Sequence, residues 1–195
     1  NPCREPEPLT ESTVLQWKRV CEAEISKRGL QFHDMGHGWT AESFGISSIG
    51  GWARDDTNLI PKQNREYIAL MNGKRELCGG VALNTNFCMS NPEARRIVAE
   101  FIAEYAENHR NADYIHVWLA DAKHNHCECE ECQKKKPADW YIMAMNEIDE
   151  RLTAEGLSTR IVFIAYTDTM WAPDTERIKN PERFSLCFAP ITRTY

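Results

Sequence analysis

The sequence predicts an α/β domain built on a parallel sheet. Short apolar runs of strand length alternate with longer stretches of helical periodicity, and polar loops follow the carboxyl end of each run. The runs are almost continuously apolar, which is typical of parallel strands covered by helices. Five strands are predicted, over residues 30–35, 77–87, 113–121, 161–166 and 184–190.

Three long helices are predicted between or before these strands. The first covers residues 11–28 and ends at Gly29. Asn91 and Pro92 mark the start of the second, and Pro137 opens the third. The apolar face of the first helix would consist of Val14, Trp17, Cys21 and Ile25. Short helical pieces are predicted near residues 64–71 and 175–179.

The number of strands leaves two architectures open. A complete (β/α)8 barrel needs eight strands and about 250 residues, whereas this chain has 195 residues. Residues 1–195 are therefore interpreted as a single α/β domain, either an open doubly wound sheet or an excised part of a (β/α)8 TIM-type barrel. Both architectures carry their functional sites at the carboxyl ends of the strands.

Charge and composition exclude several partners. A formal net charge of -6 and a pI near 5.6 argue against nucleic acid or an anionic membrane as the main partner. No apolar run approaches the ~20 residues of a membrane span. The first residues contain neither an initiator Met nor a signal-like segment. We therefore expect this chain to be a piece of a longer protein. Its sequence does not define the cellular compartment, and a secreted or periplasmic parent is one option.

The strand at residues 113–121 organises the candidate site. It ends in a carboxylate, Asp121, and the polar loop that follows carries Cys127, Cys129 and Cys132 as Cys-x-Cys-x-x-Cys. Three thiolates at this spacing can converge on one tetrahedral metal ion, which would fix the loop beside Asp121. The alternative is a core strand followed by three unrelated thiols.

A fourth ligand would complete such a metal site. One more sulfur, from the preceding loop, would give a closed structural zinc site, and His124 and His126 compete for the same position. A pair of disulfides is the rival chemistry, although Cys-x-Cys is cramped for an ordinary disulfide. Of the remaining cysteines, Cys21 and Cys187 are interpreted as core thiols, and Cys3 and Cys78 are unassigned.

Carboxylates after the strands are the candidate catalytic groups. Asp121 is the first choice for an acid/base, because a carboxylate at the end of a buried strand must be paired, hydrogen-bonded or facing a cleft. The alternative is a carboxylate that caps loop amides. Glu42 and Asp168 are weaker candidates. Side chains that could stack on a sugar or bond its hydroxyls are His37, Trp39, Asn84, Asn86, Trp118, Tyr166 and Trp171.

Residues 88–93, Cys-Met-Ser-Asn-Pro-Glu, followed by a strand ending in an acid and by Cys-x-Cys-x-x-Cys, resemble family 42 glycoside hydrolases, the bacterial β-galactosidases. The resemblance implies a zinc site beside the fourth barrel strand. Its four ligands would be Cys88, Cys127, Cys129 and Cys132. In that family the strand ends in Asn-Glu, with the glutamate as acid/base, whereas here it ends in Ala120-Asp121.

A nearer likeness is to the bacterial family called domain of unknown function 4838, which has glycosidase-like barrels. Its members look similar in the three-cysteine motif, in Gly-His-Gly-Trp at residues 36–39, in residues 88–92 and in Trp-x-x-Asp at residues 118–121. The likeness covers about residues 30–195. It implies that the five strands are the second to sixth of a (β/α)8 barrel.

We therefore hypothesise that this chain is the central segment of a glycoside-hydrolase-like domain that acts on carbohydrate. The remainder of its parent chain would complete the domain. Related glycosidases carry their nucleophile on the seventh strand, and glycosidic cleavage usually takes two carboxyl groups. We therefore expect no hydrolysis by this chain alone. The alternatives are a non-catalytic carbohydrate-binding module and a domain whose zinc loop docks another protein.

Overall fold

A four-stranded parallel sheet forms the centre of this computed structural model, which describes residues 10–34 and 36–191. The strands lie in the order in which they follow in the chain, and each neighbouring pair is parallel. In the register of the sheet, Tyr114 lies opposite both His33 and Arg160. The strands are β1 (His33–Asp34), β2 (Tyr114–His116), β3 (Arg160–Tyr166) and β4 (Phe184–Ala189).

The three predicted long helices are confirmed, and local signals bound them. The Thr10 hydroxyl accepts a hydrogen bond from the Thr13 backbone N–H, 3.2 Å away, and the Asn91 side chain accepts one from the Glu93 N–H at 2.9 Å. Gly156 follows the last helix with a φ of 68°. The helices are α1 (Glu11–Lys27), α2 (Trp39–Glu42), α3 (Pro92–Asn108) and α4 (Pro137–Ala154).

Helices α3 and α4 pack together and contribute to the main hydrophobic core. Ile115 of β2 and Ile161 of β3 are fully buried in this core. The helices contribute to it Val98, Ile102, Met145, Ile148 and Leu152. Because β2 and β3 are held in this way, the loops that leave their carboxyl ends start from fixed positions.

The predicted strand at residues 77–87 is wrong. The chain instead forms two 3-10 turns, Cys78–Gly80 and Ala82–Asn84, and β1 pairs directly with β2. Gly79 and Gly80 adopt positive φ angles of 62° and 75°, which a strand does not permit. The Thr85 hydroxyl bonds the backbone of Cys78 and Val81, so local contacts use groups that a sheet ladder would need.

Two other segments differ from the prediction. The strand at residues 113–121 is regular only over Tyr114–His116, because the Ala120 N–H is bonded to the Asn86 side chain and the Asp121 N–H to the Leu83 carbonyl oxygen. The piece at 175–179 is not helical, since its amides bond to Asp139 of α4. The piece near 64–71 is a 3-10 helix over Lys62–Tyr67.

The apolar face of α1 is not buried as predicted. Trp17 is 54% exposed, and Cys21, interpreted as a core thiol, is also exposed. A polar network attaches the helix instead: Lys18 Nζ lies 3.0 Å from the buried Asp34 carboxylate, which also accepts from Tyr105. Cys187 is half-buried. Cys3, and Met35 at the end of the first predicted strand, lie outside the described residues.

The α/β class with a parallel sheet is confirmed. The described strands follow one another without the reversal of strand order that a doubly wound sheet requires. Within residues 10–34 and 36–191, no helix is long and apolar enough to cross a membrane.

Asp139 should make the fold sensitive to acid. Its buried carboxylate accepts the backbone N–H groups of Asp174, Thr175 and Glu176 at 2.7–3.1 Å. Burial alone would raise the pKa of this carboxyl, but these amides hold the pKa well below its usual value. The stabilisation is therefore present above the ordinary Asp pKa of about 3.9 and is lost as the pH falls through the lower folded-state pKa.

We predict that Asp139→Asn lowers the free energy of unfolding by about 1.5–3 kcal/mol at pH 7, and that its difference from the wild type shrinks at pH 3. Urea denaturation at both pH values measures this. Asp174→Asn is the matched control, since Asp174 has an exposed side chain and should change stability by less than about 0.5 kcal/mol. A difference for Asp139→Asn that does not depend on pH would contradict the prediction.

Candidate metal centre and adjoining pocket

Four cysteine sulfurs converge on one point, and they all lie within 4.8 Å of one another. The sulfur of Cys88 is 3.6 Å from that of Cys127, 3.7 Å from that of Cys129 and 3.9 Å from that of Cys132. A tetrahedral ion with metal–sulfur bonds of ~2.3 Å needs sulfur–sulfur edges of about 3.8 Å, whereas a disulfide needs ~2.05 Å. The spacing therefore fits a four-thiolate metal site.

Two separate segments of the chain bring these sulfurs together. Cys88 lies in the turn before α3, and the other three cysteines lie in the loop between β2 and α4. The Leu70 N–H donates to the Cys127 sulfur at 3.2 Å, and the Ser90 N–H donates to the Cys132 sulfur at 3.4 Å. Such N–H···S bonds fix the direction of ligand sulfurs. The expected thiolate cluster is thus present, with Cys88 as its fourth member.

The competing ligands and the disulfides are not part of this arrangement. His124 and His126 instead face Asp168, with a ring nitrogen of each 3.7 Å from its carboxylate. Every cysteine within the described residues is free. The four cysteines could hold a metal ion, with no open position for water if all four bind.

The sulfur cluster has unusual electrostatics. The Cys127 and Cys132 thiols hydrogen-bond to the Cys88 sulfur and lower the pKa of the Cys88 thiol. Burial would lower the pKa of Arg75, but this pKa is raised because the guanidinium lies beside Cys88. Hydrogen bonds to Cys127 and Cys88 raise the pKa of the Cys132 thiol, so the metal-free cluster favours negative charge on the Cys88 sulfur and protons on its partners.

A pocket of about 290 Å³ adjoins the cysteine loop at the carboxyl ends of β2, β3 and β4. Four of the predicted site residues line it: His37, Trp118, Asp121 and Tyr166. Further lining comes from Asn125, His126, Thr169 and Cys187. The pocket combines apolar and aromatic walls with a few polar groups, as small-molecule sites do.

Asp121 is held in this pocket by several donors. Its carboxylate accepts the Trp52 indole N–H at 3.0 Å and the Ala122 backbone N–H at 2.9 Å. Burial raises the pKa of the Tyr166 phenol, and the negative charge of Asp121 raises it further. His37 packs edge-on against Trp118, with ring centroids 5.1 Å apart, and its Nδ1 lies 3.1 Å from a backbone carbonyl oxygen. A carboxylate and an aromatic face thus meet in one small cavity.

The pocket rim includes backbone in the left-handed region. Ala122 has a φ of 110° and Thr167 a φ of 43°, positions that non-glycine residues avoid. Each costs about 1–3 kcal/mol. The Thr167 hydroxyl donates to the Ala122 carbonyl oxygen at 3.3 Å, so the two positions are in contact. Strained positions of this kind cluster at functional sites.

The other predicted site residues lie elsewhere. Trp39 is 5% exposed, packs against Phe101 and Tyr105, and does not line the pocket. Trp171 is 77% exposed on another part of the surface. Glu42 accepts from Ser48 and lies outside the pocket lining.

Two asparagines and Asp168 do not line the pocket but form hydrogen bonds that fix the segments next to it. The side chain of Asn86 is fully buried, accepts the Ala120 N–H at 3.1 Å and donates to Asn125. Asn84 contributes its backbone carbonyl oxygen, which accepts from Asn125 at 2.9 Å. Asp168 accepts the His124 N–H. These residues hold the cysteine loop and the pocket floor in place.

Sequence reasoning missed His126, which lines the pocket, and Trp52, which bonds the pocket residue Asp121. Trp52 follows Gly50-Gly51 in a long loop and is 69 positions away from Asp121, so no local periodicity links the two. His126 was considered only as a metal ligand. Its place directly before Cys127, at the end of Asp-x-x-x-x-His, is the signal that could have assigned it to the pocket.

The fold and the site define the class of protein: an α/β domain with a parallel sheet, a pocket at the carboxyl ends of its strands and a four-cysteine cluster beside it. The family described as Domain of unknown function (DUF4838) matches residues 8–195, and the chain belongs to this family. No curated protein matches the chain.

We predict that Asn86→Ala destabilises the pocket floor, because a buried amide that bonds three backbone or side-chain partners is lost. The free energy of unfolding should fall by about 1–3 kcal/mol, and hydrogen exchange of the Ala120 amide should accelerate. Asn84→Ala is the control, since alanine retains the backbone carbonyl oxygen that Asn84 contributes. Equal losses for the two variants would contradict a role of the Asn86 side chain.

Proposed function

We propose that this chain is part of a glycoside-hydrolase-like (β/α)8 domain that binds carbohydrate in the pocket around Asp121 and is stabilised by a structural zinc ion. The observation that carries the proposal is the juxtaposition of Asp121, Trp118 and His37 in one cavity beside the four sulfurs. An aromatic face suits the apolar side of a sugar ring, and a carboxylate accepts hydrogen bonds from its hydroxyls.

Zinc is the metal that the ligand set favours. Four thiolates in tetrahedral spacing are typical of structural zinc sites, and the closed coordination leaves no position for a reacting water. The ion would hold the turn before α3 against the loop between β2 and α4. Its proposed role is therefore to keep the pocket wall in place, with no part in the reaction itself.

The sheet supports the barrel part of the proposal. Its strands are parallel and in chain order, and the pocket lies at their carboxyl ends, as sites do in (β/α)8 enzymes. Leu186 and Phe188 of β4 are 56% and 60% exposed and border an apolar groove with Trp171. An apolar strand face of this kind fits a further helix from the remainder of the parent chain.

The number of carboxylates that line the pocket bears on whether this chain binds a sugar or also cleaves one. Among the described residues, Asp121 is the only carboxylate that lines the cavity. Cleavage of a glycosidic bond usually takes a second carboxyl, ~5–5.5 Å away in retaining enzymes and ~6.5–9.5 Å away in inverting ones. We therefore assign sugar binding to this chain and hydrolysis to the complete parent domain. A purely carbohydrate-binding domain is the second candidate, which the single pocket acid favours.

We predict that the purified chain carries one zinc ion, with zinc–sulfur distances of ~2.3 Å by X-ray absorption. Elemental analysis gives the stoichiometry. Cys127→Ser should reduce the zinc content, whereas Cys21→Ser, which changes an exposed cysteine outside the cluster, should not. Chelation should increase hydrogen exchange over residues 122–136 and at the start of α3. A metal-free chain with disulfides among the four cysteines would refute the zinc proposal.

We predict that monosaccharides bind the chain through Asp121 and Trp118. NMR titration or calorimetry with a panel of hexoses should detect binding that Asp121→Asn weakens at least about tenfold, because a hydrogen bond to a charged group is worth about 1.5–3 kcal/mol. Trp118→Ala should also weaken it. Trp171→Ala, a matched tryptophan outside this pocket, should leave the affinity unchanged.

The complete parent protein separates the two candidates. Turnover of aryl glycosides by the parent, lost in Asp121→Asn and retained in Asp174→Asn, supports the hydrolase. Sugar binding without turnover supports the binding domain. Failure of both the chain and its parent to bind any sugar in the panel would overturn the carbohydrate proposal.

A further inference from the structure

Arg75 lies beside the sulfur cluster, on a hairpin that the cysteine motifs do not include. Met71 and Lys74 form a pair of backbone hydrogen bonds of 2.8 and 2.9 Å around Asn72-Gly73. Asn72 and Gly73 have positive φ angles of 49° and 74°, as a tight Asn-Gly hairpin requires. The turn sends the chain back towards the cysteines, with Arg75 directly after it.

The hairpin is bound to the cysteine loop by its backbone. The Glu128 N–H donates to the Leu70 carbonyl oxygen at 2.7 Å, and the Asn72 N–H donates to the Glu128 carboxylate at 2.6 Å. The Leu70 N–H donates to the Cys127 sulfur. The hairpin is therefore a third segment of the metal centre, although it supplies no ligand to the ion.

The half-buried guanidinium of Arg75 is fixed by one hydrogen bond next to the sulfur cluster. It donates to the Ile68 carbonyl oxygen, which holds the side chain against its own hairpin. Ile68 is followed by Ala69, which packs in one cluster with Cys88, Cys127 and Cys132, so this bond places the guanidinium beside the sulfurs. An arginine is always protonated, so this positive charge is permanent.

The charge of the proposed centre explains why a cation is needed there. Four thiolates and one divalent ion carry a net charge of −2. A net negative charge in a largely buried site is unfavourable unless it is paired or hydrogen-bonded. Arg75 offsets part of it, and backbone N–H groups stabilise the sulfurs further.

We infer that Arg75 is a positioning residue of the metal centre: its fixed charge beside the sulfurs raises the affinity of the four cysteines for a divalent ion. This inference rests on the proposed zinc site. Residues that contact ligands without binding the ion typically change metal affinity 10- to 100-fold.

The test compares Arg75→Gln, Arg75→Lys and Lys74→Gln in the otherwise unchanged chain. Zinc affinity is measured by competition with a chromogenic chelator at fixed pH, and the stability of the metal-free chain is measured in parallel by urea denaturation. Arg75→Gln should lose about 10- to 100-fold in affinity, and Arg75→Lys should recover most of it. Lys74→Gln removes the same charge from the exposed neighbouring position and should bind zinc like the wild type.

Three results would overturn the inference while leaving the zinc site intact: unchanged affinity in Arg75→Gln, an equal loss in Lys74→Gln, or no recovery in Arg75→Lys. The last would assign Arg75 to the hairpin alone, through its bond to Ile68. A wild-type chain that binds no zinc would instead refute the metal centre and, with it, this role of Arg75.

Discussion

The convergence of four cysteine sulfurs constrains the whole segment between β2 and α4. Among residues 117–136 the regular structure is limited to a 3-10 turn that begins at Cys132, so backbone ladders do not fix the path of this segment. Thiolates 3.6–3.9 Å apart repel one another unless a cation or shared protons hold them. The interaction that joins the sulfurs therefore also determines where the loop, and the pocket wall attached to it, can lie.

From this loop, contacts reach both ends of the connection between β3 and β4. At one end Thr167 bonds Ala122, and Asp168 lies 3.7 Å from His126. At the other end Lys135 and Lys136 form ion pairs with Glu176 and Asp174. The connection between β3 and β4, which lines the pocket at Thr167 and Thr169, is thus held by the cysteine loop. Positive φ angles at Ala122 and Thr167 persist because these contacts leave the backbone little alternative.

How far the sequence predicts this molecule depends on how local each signal is. The start of α3 was predictable because Asn91 acts within three residues, and the Cys-x-Cys-x-x-Cys spacing identified three sulfurs of the cluster. The 3-10 turns within residues 77–87 were not predictable from the apolar pattern. The positive φ of Gly79 and the hydrogen bonds of Thr85 replace the strand that this pattern predicts. Periodicity predicted an apolar face on α1, but it does not show whether that face is covered, and Val14 and Trp17 are exposed. The contact between Trp52 and Asp121 spans 69 positions and has no local signature.

The surroundings of Asp121 also bear on the chemistry proposed for the complete domain. Its oxygens accept hydrogen bonds from the Trp52 indole and the Ala122 amide, so the orientation of the group is fixed. In glycosidic cleavage one carboxyl must donate a proton while the other acts as base or nucleophile, and different environments separate the two roles. A carboxylate held by two donors has a fixed position at the cavity, which either role requires.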